Sequence, residues 1–195
     1  IATFFTNYLW FDSVELNSVW IKILLTKSIL VAATSLLAFV FIFINLRLAV
    51  RATPVMDIFE SFESQDPLSR FREFFNERFL KYRLWGAIGL SIFLGAGASQ
   101  LWEQVLLFIN QKSFGVTDPI FQNDVSSYVF GLPLYRLFVS WGFQLVIFTS
   151  FIIVLFFIAT GALQLRQGRL PEVSSGAKAH LSVLLAFVAL LKAFA

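Results

Sequence analysis

Lys192 and His180 stand where their side chains would be costly to leave without a purpose, so they are the first candidates for chemistry. Lys192 lies in an apolar run that begins near Leu181. If that run is a helix entering hydrocarbon at Leu181, its rise of about 1.5 Å per residue puts the ammonium roughly 16 Å deep. A lone charge there costs at least a few kcal/mol, so Lys192 is expected to face other helices or to bend towards an interface. A transport or proton pathway is the functional reading, and a structural ion pair or snorkelling side chain is the plainer and preferred one. Glu103, an obvious carboxylate, sits at the far end of another apolar run. His180 is the only histidine. One imidazole suffices as the axial ligand of a haem or a chlorophyll magnesium. Its neighbours Ser174, Ser175 and Lys178 favour a capping or headgroup role at a helix start, which leaves cofactor binding at His180 a weak candidate.

Other chemistries find few residues to use. The chain has no cysteine, which removes disulfides, thiolate metal sites and cysteine nucleophiles. Asp118, Asp124 and Glu103 could form an acidic group, yet a cation needs converging oxygens, and capping of turns explains the two aspartates more simply. No metal site is expected, no catalytic residue is assigned, and no cofactor is expected. There is no phosphate-binding glycine loop and no nucleophile beside a base. In 47–83, seven arginines and lysines alternate with six acids, so no nucleic-acid surface is expected.

The elements that must hold these residues are apolar. Of the chain, 58% is hydrophobic and only 14% charged, against about 25% charged in soluble domains. Crossing about 30 Å of hydrocarbon takes roughly 20 apolar residues in a helix. Charge-free runs cover 28–46, 84–102 and 137–165, and a fourth apolar run contains Lys192. The expected fold is all-α: a polytopic transmembrane helix bundle with spans at about 23–46, 84–106, 135–165 and 180–195. Connections 47–83 and 107–134 join them. Ten basic residues in 47–83 and 166–178, against four on the other side, place those two stretches in the cytoplasm and 103–136 outside. The chain starts at Ile1 and stops at Ala195 within an apolar run, so it reads as a segment of something longer.

Within the long connection, Asp66–Pro67 reads as a helix start. Phe71, Phe75, Phe79 and Tyr82 then share one helical face, interleaved with Arg70, Arg72, Arg78 and Lys81, which predicts a separate amphipathic helix at the headgroups over 67–82. Ala87, Ser91, Gly95 and Ser99 step by four along the second span, a spacing that lets two helix backbones approach. Asp118–Pro119 predicts a turn into a short helix. Tyr8, Trp10, Phe11 and Trp20, with Tyr128, Tyr135 and Trp141, are placed for an aromatic belt.

Three stretches resemble a family of bacterial integral membrane proteins, the uncharacterised protein family 0182. The first is Thr6-Asn7-Tyr8-Leu9-Trp10-Phe11, where the family usually has Asp at the position of Asn7. The second runs from Phe114-Gly115 through Asp118-Pro119-Ile120-Phe121 to Asp124 and Tyr128-Val129-Phe130-Gly131-Leu132-Pro133, with Gln122 and Ser127 departing from the usual residues. The third is Ser174-Ser175-Gly176-Ala177-Lys178-Ala179-His180-Leu181, continuing to Leu191-Lys192-Ala193. The resemblance implies several membrane spans followed by a large extracytoplasmic region, with this chain as the middle of the membrane part. It supplies no catalytic residues, and the departures read as those of a divergent member. The expected role is a membrane anchor or scaffold in a bacterial cytoplasmic membrane or an internal membrane continuous with it, with bound lipid and other membrane subunits as partners. The alternatives are a transporter using Lys192, for which Gln144 and Gln164 are further polar groups, and an accessory subunit of a pigment or electron-transfer complex.

Overall fold

The computed structural model describes residues 2–53, 67–164 and 172–194, with the side chains of 67–81 and of Gln164 outside that description. Helix α1 is Ala2–Ser13 and α2 is Asn17–Ala52. Helix α3 is Pro67–Ala96, and a 3₁₀ turn, Gly97–Leu101, leads on into α4, Trp102–Ile109. A π-turn at Ser127–Gly131 opens α5, Leu132–Ala159, and the last helix is α6, Ser175–Ala193. Between α5 and α6, β1 (Leu163–Gln164) pairs antiparallel with β2 (Glu172–Val173). The fold is all-α apart from this short pair. Among the described residues, four helical stretches are long and apolar enough to cross a membrane: Asn17–Ala52, Tyr82–Ile109, Ser127–Ala159 and Ser175–Ala193.

Helix ends differ from the edges of the apolar runs, because backbone hydrogen bonding does not stop where hydrocarbon does. Helix α2 continues through Arg47 and Arg51 to Ala52. The amphipathic stretch 67–82 is not a separate helix: it is the first half of α3, with no proline or turn between it and the span. Tyr82 is exposed, and the side chains of Phe71, Phe75 and Phe79 lie outside the described residues. Helix α5 ends at Ala159 rather than 165, since Gly161 takes a left-handed conformation (φ 75°) that stops the helix and feeds β1. Helix α6 starts at Ser175, capped by Ser174 Oγ, which accepts from the Ala177 amide at 3.3 Å.

The described residues form two compact units. The first comprises Ile1–Leu36 and Ile92–Phe138. Here α2 and α3 meet so closely that a Cβ on Gly95 would lie 2.8 Å from the Ser35 amide nitrogen and 2.9 Å from its Cα. Only glycine permits this approach, and Thr34 Oγ1 adds a long hydrogen bond to the Gly95 carbonyl at 3.4 Å. Lys27 Nζ stands over the Trp102 ring, 5.2 Å from its centroid. Helix α1 buries no side chain and rests through Phe4 and Tyr8 on the edge of Trp20.

The second unit comprises Leu37–Ser91 and Val139–Ala195, and its centre holds Ile42, Ile153, Phe157 and Leu184, all fully buried. Helix α6 starts hard against the end of α2, where a Cβ on Gly176 would come within 3.1 Å of the Ala52 carbonyl carbon. Buried hydroxyls donate back along their own helices, Thr149 to Leu145 O at 2.7 Å and Ser91 to Ile88 O at 2.8 Å. In a chain that must satisfy its polar groups away from water, such back-bonding is the local solution.

Candidate functional site

His180 lies in the second turn of α6 and is 8% exposed. Its Nε2 is 3.0 Å from Oδ1 of Asn45 on α2. Asn45 Nδ2 donates to the Phe41 carbonyl at 2.8 Å, which fixes the amide so that Oδ1 faces the ring. The hydrogen therefore belongs on Nε2, and Nδ1 keeps its lone pair. Phe157 of α5 meets the ring edge-on, with centroids 5.8 Å apart. Nδ1 is buried and has no hydrogen-bond partner among the described residues. A ring whose free nitrogen has no open face serves as a tie between helices; a metal or haem iron would have to displace packed side chains to reach it. The Asn45 partner was not singled out from sequence. Its signal is an amide inside a charge-free run, where a polar group needs a partner on another helix.

Lys192 stands in the last turn of α6 and is exposed. No ion pair to it occurs among the described residues. Ala87 and Ser91 are buried in the second unit, Gly95 sits at the close approach to Ser35 in the first, and Ser99 is half-buried with its hydroxyl on the Ala96 carbonyl.

The first unit also carries a built loop between α4 and α5. Asp124 accepts from Ser113 Oγ in a very short contact, from the amides of Phe114 (3.2 Å) and Gly115 (3.1 Å), and from the Ser126 amide at 2.8 Å. These donors, the Ser113 hydroxyl foremost, hold its carboxyl well below the usual carboxylate range. Asp118 accepts from the Phe121 amide at 2.6 Å and from Tyr128 Oη at 3.3 Å. The predicted turn is there, but no helix follows Pro119; Thr117 and Asp124 instead bridge like a hairpin. Both aspartates are occupied with the loop's own donors, and no group of three metal-ligating side chains occurs among the described residues.

Beside this loop runs an open groove of about 480 Å³. It is lined by Trp102, Glu103, Leu106 and Leu107 of α4 and, after that helix, by Asn110, Gln111, Lys112, Phe114 and Phe130. Phe114 and Phe130 meet edge-on with centroids 5.8 Å apart. The groove was not legible in the sequence, because it depends on the loop folding back on α4.

The sequence profile of the Uncharacterised protein family (UPF0182) matches residues 1–195. The chain belongs to this family. Similar UPF0182 proteins occur in Nocardia farcinica (32% identical over 98% of this chain and 19% of the relative), Mycobacterium bovis (34%, 100% and 20%) and Rhodococcus jostii (33%, 92% and 18%). The chain thus spans about a fifth of the length of the curated relatives it matches. No solved structure matches it.

Proposed function

We propose that this region is a membrane anchor or scaffold of its UPF0182 protein, crossing a bacterial cytoplasmic membrane four times and holding further polypeptide or partner subunits. The observation that carries this reading is how the polar side chains of the helices are used. Thr34, Asn45, Ser91, Thr149 and Thr160 each donate to a carbonyl of their own helix, and Asn45 also ties to His180. Groups spent in this way fix helices; a solute path needs polar atoms left facing a cavity. The alternation of basic residues supports an orientation with Lys112 outside and Lys178 in the cytoplasm. Lipid is expected around the exposed apolar faces, with other membrane proteins as partners.

The test is reconstitution of the full-length protein and its Lys192→Met variant in vesicles, alongside gentle purification from native membranes. The scaffold reading expects no Lys192-dependent flux and stable co-purifying chains. It is overturned if the variant assembles normally while a solute or proton flux disappears. Orientation is read by impermeant maleimide on a cysteine at position 112 or 178, with only the first labelled in intact cells.

A further inference from the structure

We infer that the groove beside α4 binds one anionic phospholipid of the surrounding bilayer, with its phosphate at Gln111 and Lys112 and its glycerol end towards Trp102. This rests on the reading of four spans above and deepens it, by naming the part of the bilayer that this unit holds.

The level of the lining residues and their order point to a bilayer component. The charge-free runs of α2, α3 and α5 stop at Lys27, Glu103 and Arg136, and Lys27 stands over the Trp102 ring. Trp102 therefore lies at the hydrocarbon limit. Leu106 is three residues beyond Glu103, Asn110 is seven beyond it, and Phe130 is six before Arg136. At about 1.5 Å per residue they stand at most roughly 5, 10 and 9 Å further out. The headgroup layer is about 5–8 Å thick on each side, so the groove crosses it from one limit to the other. Its walls are apolar throughout, and its outer end adds Asn110, Gln111 and Lys112. A phospholipid carries its groups in that same order: acyl chain, glycerol esters, then phosphate.

The charges favour an anion at the outer end. Lys112 and Gln111 are exposed, and no carboxylate pairs with Lys112 among the described residues. Glu103 lines the inner end, next to the Trp102 ring over which the Lys27 ammonium stands. Asp124, in the same loop, is already met by the Ser113 hydroxyl and by the amides of Phe114, Gly115 and Ser126. The charge left over is that of Lys112, and a basic residue at the surface of a bilayer attracts anionic lipid. The groove's volume of about 480 Å³ falls within the roughly 300–1,000 Å³ usual for binding pockets. Lipid is also the phase in which the spans stand, so the occupant is always at hand.

The test uses the full-length protein in phosphatidylcholine nanodiscs that contain phosphatidylglycerol with a photoreactive group near the ester end of one acyl chain. Irradiation should label the peptides of Leu107 and Phe130, and the label should saturate as the fraction of photoreactive lipid rises. Ile29 of α2, exposed and two residues inside the limit at Lys27, serves as the control for unspecific lipid contact, and its label should rise linearly. Lys112→Gln should raise the lipid fraction needed for half-saturation about fivefold, with Lys112→Arg close to wild type and Ile29 unchanged in both. Groove labelling that is absent, rises only in step with Ile29, or ignores Lys112→Gln would each overturn the inference. The readings fail separately. Label at Ile29 without label in the groove removes the lipid site and leaves the spans, label at neither removes the spans, and a Lys192-dependent flux removes the scaffold but leaves the lipid site.

Discussion

Among the described residues, the buried apolar side chains of the first unit are Leu94, Ala98 and Leu134, whereas the second unit buries fourteen, from Ala38 and Ile42 to Phe157 and Leu184. The first unit is shaped instead by polar turns, one close glycine contact and aromatic edges around Trp20. Its loop leaves Ile120 at 78% and Phe121 at 71% exposure. The comparison separates two ways of holding a small helical unit. Packing gives the second unit a buried centre, while hydrogen-bonded turns fix the shape of the first, and both leave large apolar side chains exposed. The substitutions below test whether the two units depend on these different forces.

The largest effect belongs to the packed unit. Phe157→Ala removes a fully buried ring from its centre and from the edge of His180, and should cost about 3–5 kcal/mol. Thermal unfolding in detergent measures it, and a loss below about 1 kcal/mol would mean that this core is not what holds the unit. Gly95→Val comes next, in the other unit. Its side chain meets Ser35 backbone rather than a movable tip, so the α2–α3 crossing must open, at about 1–3 kcal/mol. Unchanged stability would show that the helices do not approach as described.

The loop responds to acid rather than to packing. Asp124 has its carboxyl lowered by its hydrogen-bond donors, so it is charged in the folded loop at a pH where the unfolded chain would bind a proton. Its stabilisation is therefore complete above the usual carboxylate value of about 4 and is lost progressively as pH falls below it. Protease cleavage within 110–126 should be flat from neutral pH down to about 5 and rise in more acid solution, with Asp124→Asn fast at every pH. An acid-insensitive wild-type loop would remove the carboxylate from its role.

Much of this architecture was legible in the sequence. Charge-free runs mark the spans because hydrocarbon excludes charge, and the start at Pro67 and the cap at Ser174 follow from local backbone chemistry. What was not legible depends on contacts distant in sequence. His180 read as a lone residue at a helix start because its partner, Asn45, is 135 positions away. The groove needs Phe114 and Phe130 brought against α4, which periodicity does not encode. The amphipathic pattern at 67–82 could not tell a separate helix from the first half of α3, since both have the same period.

That distant pair gives a smaller effect. Asn45→Leu removes the tie between α2 and α6 and leaves both ring nitrogens of His180 without a partner. Interhelical hydrogen bonds in membranes average about 0.6 kcal/mol and reach about 2, so a modest loss is expected, in the second unit alone. A double-mutant cycle with His180→Phe isolates it. If the coupling were zero, the pair would be a contact of convenience within a core that packing already fixes.

The smallest effect is expected at Lys192, where the sequence pointed to the largest. A lysine near the bilayer midplane would need a buried carboxylate, and removing one member of such a pair costs about 3–5 kcal/mol. Among the described residues Lys192 is exposed and no carboxylate pairs with it. An exposed side chain away from such a pair changes stability by about 0.5 kcal/mol at most. Lys192→Met in the full-length protein should therefore lower stability by no more than that, and Lys192→Arg should keep it. A loss of several kcal/mol with methionine, rescued by neutralising one particular carboxylate elsewhere in the polypeptide, would show that the exposed face of α6 is covered in the whole protein.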